Sequence, residues 1–279
     1  MKVDEALLWA RTRLADADFD PALREANLLL ARTLGRSEAQ LLAHGGDVVD
    51  QVLLAEFQAR VDRRLSGEPV AYILGEKEFF GRDFFVDSRV LIPRPETEHI
   101  VELALRLGLP SGGRILDIGT GSGCLAVTLL AEMPGCRAVA TDISLAALRV
   151  AESNARRHDV DRQLDLVATD LASTLSLDAF QLVVSNPPYI GLEEASSLSS
   201  EITDFEPQTA LFAGPTGDSL LARLLETLSA LRGGTPLLLE IGADQSGTIA
   251  QLAESSAFSL EGVHADLAGI DRIARLTRR

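Results

Sequence analysis

Basic residues are scarce in this chain of 279 residues, and lysine almost vanishes, occurring only at positions 2 and 77. With 41 acidic against 26 basic side chains the formal net charge is −15, and the arginines are scattered rather than clustered. Such a surface repels a nucleic-acid backbone unless a basic groove reverses the sign locally, and no such run is present. Duplex DNA or RNA is therefore a disfavoured partner. Cysteine is limited to Cys124 and Cys136, which share no metal-ligand or redox spacing, so no metal site is expected. No stretch approaches the roughly 18 to 20 apolar residues of a membrane span. Met1-Lys2-Val3-Asp4-Glu5 carries acids where a secretion signal needs bases. The expectation is a cytoplasmic protein with reduced thiols, away from membranes and read as a monomer. Aromatic residues make up only 5% of the chain, against 46% hydrophobic residues in all. The core must then rest on Leu, Val, Ile and Ala, which suits helices packed on a parallel sheet.

The first part reads as helices. Val3, Ala6, Leu7, Ala10 and Leu14 recur at helical spacing. Asp20-Pro21 is a strong helix start, an N-cap acid followed by proline at the first helical position. Ser37-Glu38-Ala39-Gln40 has capping-box spacing. A fourth helix begins near Asp50, places Leu53, Phe57, Val61 and Leu65 on one face, and stops at Gly67-Glu68-Pro69. The aromatic run from Phe79 to Val86, followed by Val90-Leu91-Ile92, predicts a β-hairpin. Pro93-Arg94-Pro95-Glu96-Thr97-Glu98 ends it and leads into a helix over 97–107.

From about residue 112 strands and helices alternate. Strands are expected at 114–118, 138–141, 164–168, 182–185, 236–241, 259–264 and 272–277, with helices near 124–133, 144–158, 218–231 and 244–256. The alternation argues a doubly wound α/β sheet, and the last two strands, with no helix between them, argue an antiparallel edge. The predicted organisation is a helical domain over 1–70, a linking β-hairpin over 71–98, and an α/β domain over 99–279 with a seven-stranded, Rossmann-like sheet.

Two motifs fall at strand ends. Ile115-Leu116-Asp117-Ile118 runs into Gly119, Thr120, Gly121, Ser122 and Gly123 and then a helix. Glycines let the backbone turn sharply and approach a ligand. In a dinucleotide fingerprint the third glycine stands three residues after the second. Here it stands two after, and Cys124 takes the dinucleotide position. The spacing favours a nucleoside without pyrophosphate, such as S-adenosylmethionine. Asp142 ends the second strand, where a carboxylate can hold ribose hydroxyls, although a helix N-terminal acid is the plainer alternative. Asp170 and Leu171 close the third strand; an acid there can accept from an adenine amino group or be an ordinary solvated loop residue. Asp117 is expected to brace the loop.

Asn186-Pro187-Pro188-Tyr189 follows the fourth strand, on the same carboxyl edge. Asn-Pro and Pro-Pro also mark simple turns, but this string suits a specific difficulty. An amide or aromatic amine nitrogen is a poor nucleophile because its lone pair is conjugated. A site helps by accepting hydrogen bonds from its N–H groups, which holds it and favours the charge developing on it. Asn186 offers a side-chain carbonyl and Pro187 a backbone carbonyl, making these two the candidate catalytic residues. Neither proline brings a competing N–H, and Tyr189 can stack on a planar group or wall the pocket. The four histidines (44, 99, 158 and 264) lie apart in sequence and read as surface or capping residues. Glu206 reads equally as a wall of the acceptor cleft or as a loop acid.

These residues resemble the release factor glutamine methyltransferase family. The likeness runs through the aromatic hairpin, Val90-Leu91-Ile92-Pro93-Arg94-Pro95-Glu96-Thr97-Glu98, the glycine loop and Asn186-Pro187-Pro188-Tyr189-Ile190. It continues through Phe205-Glu206-Pro207, Ala210-Leu211 and Asp266-Leu267-Ala268-Gly269-Ile270-Asp271-Arg272. The resemblance implies methyl transfer from S-adenosylmethionine to the glutamine of a Gly-Gly-Gln motif in peptide chain release factors. It implies that Gly119, Thr120, Gly121, Ser122, Gly123, Asp142, Leu171 and Asn186 contact the methyl donor. Asn186, Pro187, Pro188 and Tyr189 would hold the glutamine, and the N-terminal helices would dock the release factor. Leu171 stands where some members carry an aromatic side chain. Three alternatives remain: another protein glutamine, an exocyclic amine of a nucleobase, which the charge disfavours, and a non-catalytic S-adenosylmethionine sensor or assembly factor.

Overall fold

Clustered contacts divide the chain into two units, Met1–Gly75 with Ser200–Phe205, and Glu76–Ser199 with Glu206–Arg279. The computed structural model describes residues 1–17, 19 and 22–279, and of residues 196 and 197 the backbone alone.

The first unit holds α1 (Val3–Asp16), α2 (Ala22–Leu34), α3 (Glu38–Ala43), α4 (Gln51–Leu65) and α5 (Val70–Leu74). The helix start expected at Asp20-Pro21 lies outside the described residues. Ser37 caps α3 as the sequence predicts: its hydroxyl accepts the Gln40 N–H at 3.2 Å and the Gln40 side chain accepts the Ser37 N–H at 2.8 Å. Asp50 caps α4, accepting the Val52 N–H at 2.8 Å. The apolar face read from α1 is buried among Leu29, Leu30, Phe57 and Val61. Fully burying each such Leu or Phe side chain is worth about 1.5–3 kcal/mol. The short helix α5 is additional to the predicted set; it ends at Gly75 in the left-handed region.

The second unit opens with a hairpin of β1 (Glu76–Phe79) and β2 (Arg82–Phe85). The turn falls inside the aromatic run, at Phe80 and Gly81 with φ of 51° and 73°. This corrects the predicted pairing with residues 90–92. Glu76 already pairs with Phe85, so the hairpin closes on itself. The Ile92 N–H instead finds the Glu206 carboxylate at 3.1 Å. The hairpin, read from sequence as a linker, belongs to this unit. Phe79 and Phe84 are fully buried against Ile100, Val101 and Ala104 of α6 (Glu98–Leu107).

There follow β3 (Arg114–Ile118), α7 (Cys124–Glu132), β4 (Arg137–Asp142), α8 (Leu145–Arg157), β5 (Leu164–Ala168) and β6 (Leu182–Ser185). The chain then enters the first unit for α9 (Ser200–Phe205). There the buried Arg64 guanidinium holds Glu25 through two bonds, at 2.8 and 2.9 Å, and Glu201 of α9 at 2.9 Å. Back in the second unit come α10 (Gln208–Leu211), α11 (Asp218–Thr227), β7 (Pro236–Glu240), α12 (Ser246–Ser255), β8 (Phe258–Ala265) and β9 (Asp271–Arg278).

The seven strands lie in the order β5-β4-β3-β6-β7-β9-β8. The first five are parallel, and β9 and β8 form the antiparallel edge the sequence predicts. Side chains alternate between faces, as a strand requires. Leu182 and Val184 join a cluster with α6 and α7, while Val183 joins one with α11 and α12. Helices on both faces explain why β3 and β6 read as nearly unbroken apolar runs. The order reverses between β3 and β6, and an open α/β sheet binds its ligands beyond the carboxyl ends at such a switch point.

Candidate functional site

Ile118 pairs with Ser185 at the ends of β3 and β6, so the glycine loop and the Asn186 motif leave the sheet side by side. Beyond them opens a cavity of about 440 Å³. Gly119, Thr120, Gly121, Ser122, Asp142, Leu171, Asn186, Pro187 and Pro188 all line it, with Asp170.

The loop is built by its three glycines. Gly119, Gly121 and Gly123 adopt φ of 72°, 53° and 82°, a region other residues enter at a cost. The N–H groups of Gly119 and Thr120 both reach the Thr141 carbonyl at 2.9 Å, tying the loop to the end of β4. Gly123 is absent from the cavity wall and faces α8 instead: a Cβ there would lie 3.0 Å from the Ala151 Cβ. Its role is close helix packing. Asp117 is fully buried beneath the loop, accepting from the Thr120 hydroxyl at 2.6 Å and the Ala126 N–H at 3.3 Å. Desolvation pushes its carboxyl up to about 7. Asp142 accepts the Gly121 N–H at 3.0 Å through one oxygen and the Ser144 N–H at 2.8 Å through the other. Burial raises its pKa as well. Each oxygen keeps lone-pair capacity for a further donor. Asp170 pairs with Arg223 at 2.5 Å, and Leu171 holds a left-handed φ of 53°.

At the second motif, the Asn186 Nδ2 donates to the Thr97 hydroxyl at 3.0 Å, and Thr97 donates to the buried Glu240 carboxylate at 2.7 Å. Tyr189 is the one predicted residue of this motif that does not line the cavity. Its carbonyl accepts from the Gln245 amide at 3.3 Å. Burial, with the Glu240 charge adding to it, pushes the Tyr189 phenol up to about 12, so it stays protonated. Cys124 does line the cavity, and burial pushes its thiol up to about 12, leaving it no nucleophile at neutral pH. None of the histidines lines the cavity, and His158 instead packs on Phe84, its ring centroid 4.9 Å away. Among the described residues no His, Cys, Asp and Glu cluster could hold a metal ion, and no helix is long and apolar enough to cross a membrane.

Sequence reasoning weighed Glu206 only as a wall of the acceptor cleft or a loop acid, and it missed the other supporting residues. Glu206 is buried and accepts from Arg94 at 2.6 Å as well as from the Ile92 N–H, bracing the Pro93-Arg94 wall of the cavity. Buried Asn154 of α8 holds both backbone groups of Phe85, at 2.8 and 2.9 Å, and the Ser122 carbonyl at 2.8 Å. It thereby joins hairpin and glycine loop. Thr97 and Glu240 belong with these. Each pairing spans tens of residues or more, and no local pattern announces it.

A parallel sheet with an antiparallel edge, a glycine loop followed by an acid, and an Asn-Pro-Pro-Tyr turn on the adjoining strand define a Rossmann-like, S-adenosylmethionine-dependent methyltransferase. Residues 101–204 match the methyltransferase small domain, and residues 5–75 match the family described as PrmC N-terminal domain. In fold the chain resembles a solved methyltransferase from Pyrococcus furiosus, with TM-score 0.51 and 19% identity over 79% of this chain and 96% of that one. A release factor glutamine methyltransferase of Nitratidesulfovibrio vulgaris is 42% identical, covering 95% of this chain and 92% of its own length. One from Cereibacter sphaeroides is 40% identical, covering 98% of this chain and 97% of its own. The chain belongs to the release factor glutamine methyltransferase family.

Proposed function

We propose that this chain methylates the side-chain amide nitrogen of the glutamine in the Gly-Gly-Gln motif of peptide chain release factors. The observation that carries the reading is the placement of Asn186 and Pro187 in the same cavity wall as the glycine loop and Asp142.

The residues present fit S-adenosylmethionine. The cavity has the size of a small-ligand site. Asp142 keeps acceptor capacity on both oxygens for ribose hydroxyls, and Gly119, Thr120, Gly121 and Ser122 offer backbone that a ligand can approach closely. Leu171 is the proposed adenine-side contact, with Asn186 reaching the donor as well as the acceptor. When bound, the cofactor supplies a methyl group already activated by its sulfonium.

The protein's part is then to position and polarise the acceptor. Asn186 Oδ1 and the Pro187 carbonyl each accept one N–H of the glutamine amide, which orients its nitrogen and favours positive charge on it. Pro188 walls the cavity, and Tyr189, which does not line it, is proposed to hold the turn from behind through its carbonyl bond with Gln245. Holding two reactants in near-attack geometry is worth roughly 7–11 kcal/mol. A methylated, protonated amide is strongly acidic and gives its proton to water, so no dedicated base is required.

The helical unit is the proposed docking element for the release factor, and the chain is proposed to act as a cytoplasmic monomer. The net charge of −15 favours a protein acceptor over a nucleobase amine. The test is transfer of labelled methyl from S-adenosylmethionine to purified release factor, repeated with the acceptor glutamine changed to alanine. Label is expected on the unaltered factor alone. Equal labelling of both would overturn the glutamine assignment.

A further inference from the structure

Thr97 and Glu240 have no part in the function as proposed so far, yet they form a buried polar chain that ends on the acceptor motif. The geometry points to Thr97 and Glu240 as positioning residues that fix which end of the Asn186 side-chain amide faces the substrate, an inference that rests on the proposed acceptor role of Asn186.

The register of β6 and β7 pairs Ser185 with Leu239, so Asn186 and Glu240 are the next residues of neighbouring strands. Thr97, just before α6, lies between their side chains. Direction is set from the Glu240 end. Above about pH 7 Glu240 is ionised and only accepts, so Thr97 must spend its single hydroxyl proton on Glu240, at 2.7 Å. The Thr97 oxygen is then left as an acceptor. Of the two ends of the Asn186 amide only Nδ2 can donate to it, at 3.0 Å. The carbonyl end remains for the substrate. A glutamine nitrogen brings N–H donors, so an inverted Asn186 would set donor against donor. The two hydrogen bonds thus choose the polarity of the acceptor site: Thr97 lines the cavity and acts through Asn186, and Glu240 stands behind it, outside the lining.

Glu240 is only 2% exposed, and among the described residues Thr97 is the one side chain donating to it. A carboxylate in such a place is costly unless it serves a bond of this kind. The β7 position would otherwise be filled by another apolar residue like Leu237, Leu238 and Leu239 before it.

Thr97→Val keeps the shape and removes both hydrogen bonds. It is expected to lower kcat on release factor by about 10- to 100-fold, the scale of losing one well-placed polar contact. The dissociation constant for S-adenosylmethionine should stay within about twofold, and Thr97→Ser should restore kcat to within about threefold of wild type. Wild-type kcat in Thr97→Val would overturn the pair while leaving the substrate reading intact. If Thr97→Val does not fold, Glu240→Gln serves in its place: it is neutral and isosteric, no longer enforces one direction, and should also lower kcat. An undiminished kcat there would equally overturn the pair. A spectroscopic measurement separates the pair from the substrate reading. The chain has three asparagines, Asn27, Asn154 and Asn186. In protein labelled at asparagine nitrogen, the Asn186 side-chain protons should exchange slowly in wild type and rapidly in Thr97→Val. Unchanged exchange would overturn the pair whether or not any release factor is methylated.

Discussion

The Asp142 carboxylate accepts the backbone N–H of Gly121 at 3.0 Å, so the acid that ends β4 also holds the middle of the glycine loop. The sequence offered ribose binding and helix capping as competing readings of Asp142. The structure gives the cap to Ser144, whose hydroxyl accepts the Ala147 N–H at 3.2 Å, while Asp142 holds the Ser144 N–H and adds this third use. Asp142→Ala removes a loop brace and a proposed pair of ribose contacts. It should weaken S-adenosylmethionine binding by about 10- to 100-fold, roughly 1.5–3 kcal/mol. Calorimetric titration of the two proteins would read this, and affinities within twofold of each other would remove Asp142 from the cofactor site.

The glycines of the loop should differ in what alanine does to them. At Gly123 a side chain meets both a φ of 82° and the Ala151 Cβ at 3.0 Å. At Gly121 the φ of 53° is strained, but nothing lies within 4 Å. Gly123→Ala should cost about 2–4 kcal/mol of stability, from backbone strain and overpacking together. Gly121→Ala should cost about 1–2 kcal/mol, from strain alone. Urea unfolding separates them; equal losses would refute the packing role given to Gly123.

Asn154 is the test of whether the hairpin supports the site. Replacing it by alanine leaves the Phe85 N–H, the Phe85 carbonyl and the Ser122 carbonyl without their partner. Asn154→Ala should lower stability by about 2–4 kcal/mol. It should also weaken S-adenosylmethionine binding, because Ser122 belongs to the loop wall. A stability loss with unchanged cofactor affinity would show that the brace serves the fold alone.

What was legible in the sequence is what local chemistry determines. Glycines at alternate positions, an acid at a strand end and Asn-Pro-Pro-Tyr declare themselves within a few residues. The seven-stranded sheet with its antiparallel edge followed from counting strands and noting that no helix separates the last two; the strand order did not. The hairpin turn was hidden because Phe80, which takes the left-handed φ of 51°, is not a turn residue by type. The helix α5, at five residues, is too short to show a period. The supporting shell was invisible for a different reason. Thr97 and Glu240 are 143 residues apart, and Ile92 and Glu206 are 114 apart. Nothing about a lone glutamate in an apolar strand identifies its partner. Only the folded register brings it there.

The buried acids make the stability of this protein depend on pH in an unusual direction. The Asp117 carboxyl is fully buried, and desolvation pushes it from an ordinary 3.8 up to about 7, against the opposing pull of the Thr120 and Ala126 hydrogen bonds. Glu240 is pushed up to about 7 as well, first by burial, then by the Glu96 charge, with Thr97, Arg272 and Arg94 acting against it. A carboxyl with a raised folded-state pKa holds its proton when the unfolded chain has already released it. The folded state therefore binds more protons between pH about 4 and about 7, and stability falls as pH rises through that window. Below about 4 the contribution is fully present; above about 7 it is gone. A carboxylate stabilised by a salt bridge behaves in the opposite sense. Asp117→Asn keeps the acceptor for Thr120 and Ala126 and has no proton to lose. Its unfolding free energy should therefore fall less between pH 5 and 7.5 than that of wild type, by up to about 3 kcal/mol. Urea melts at intervals across that range measure the two slopes. Parallel slopes would mean that Asp117 is ionised throughout, and the loop would then rest on a buried charge rather than on a shared proton.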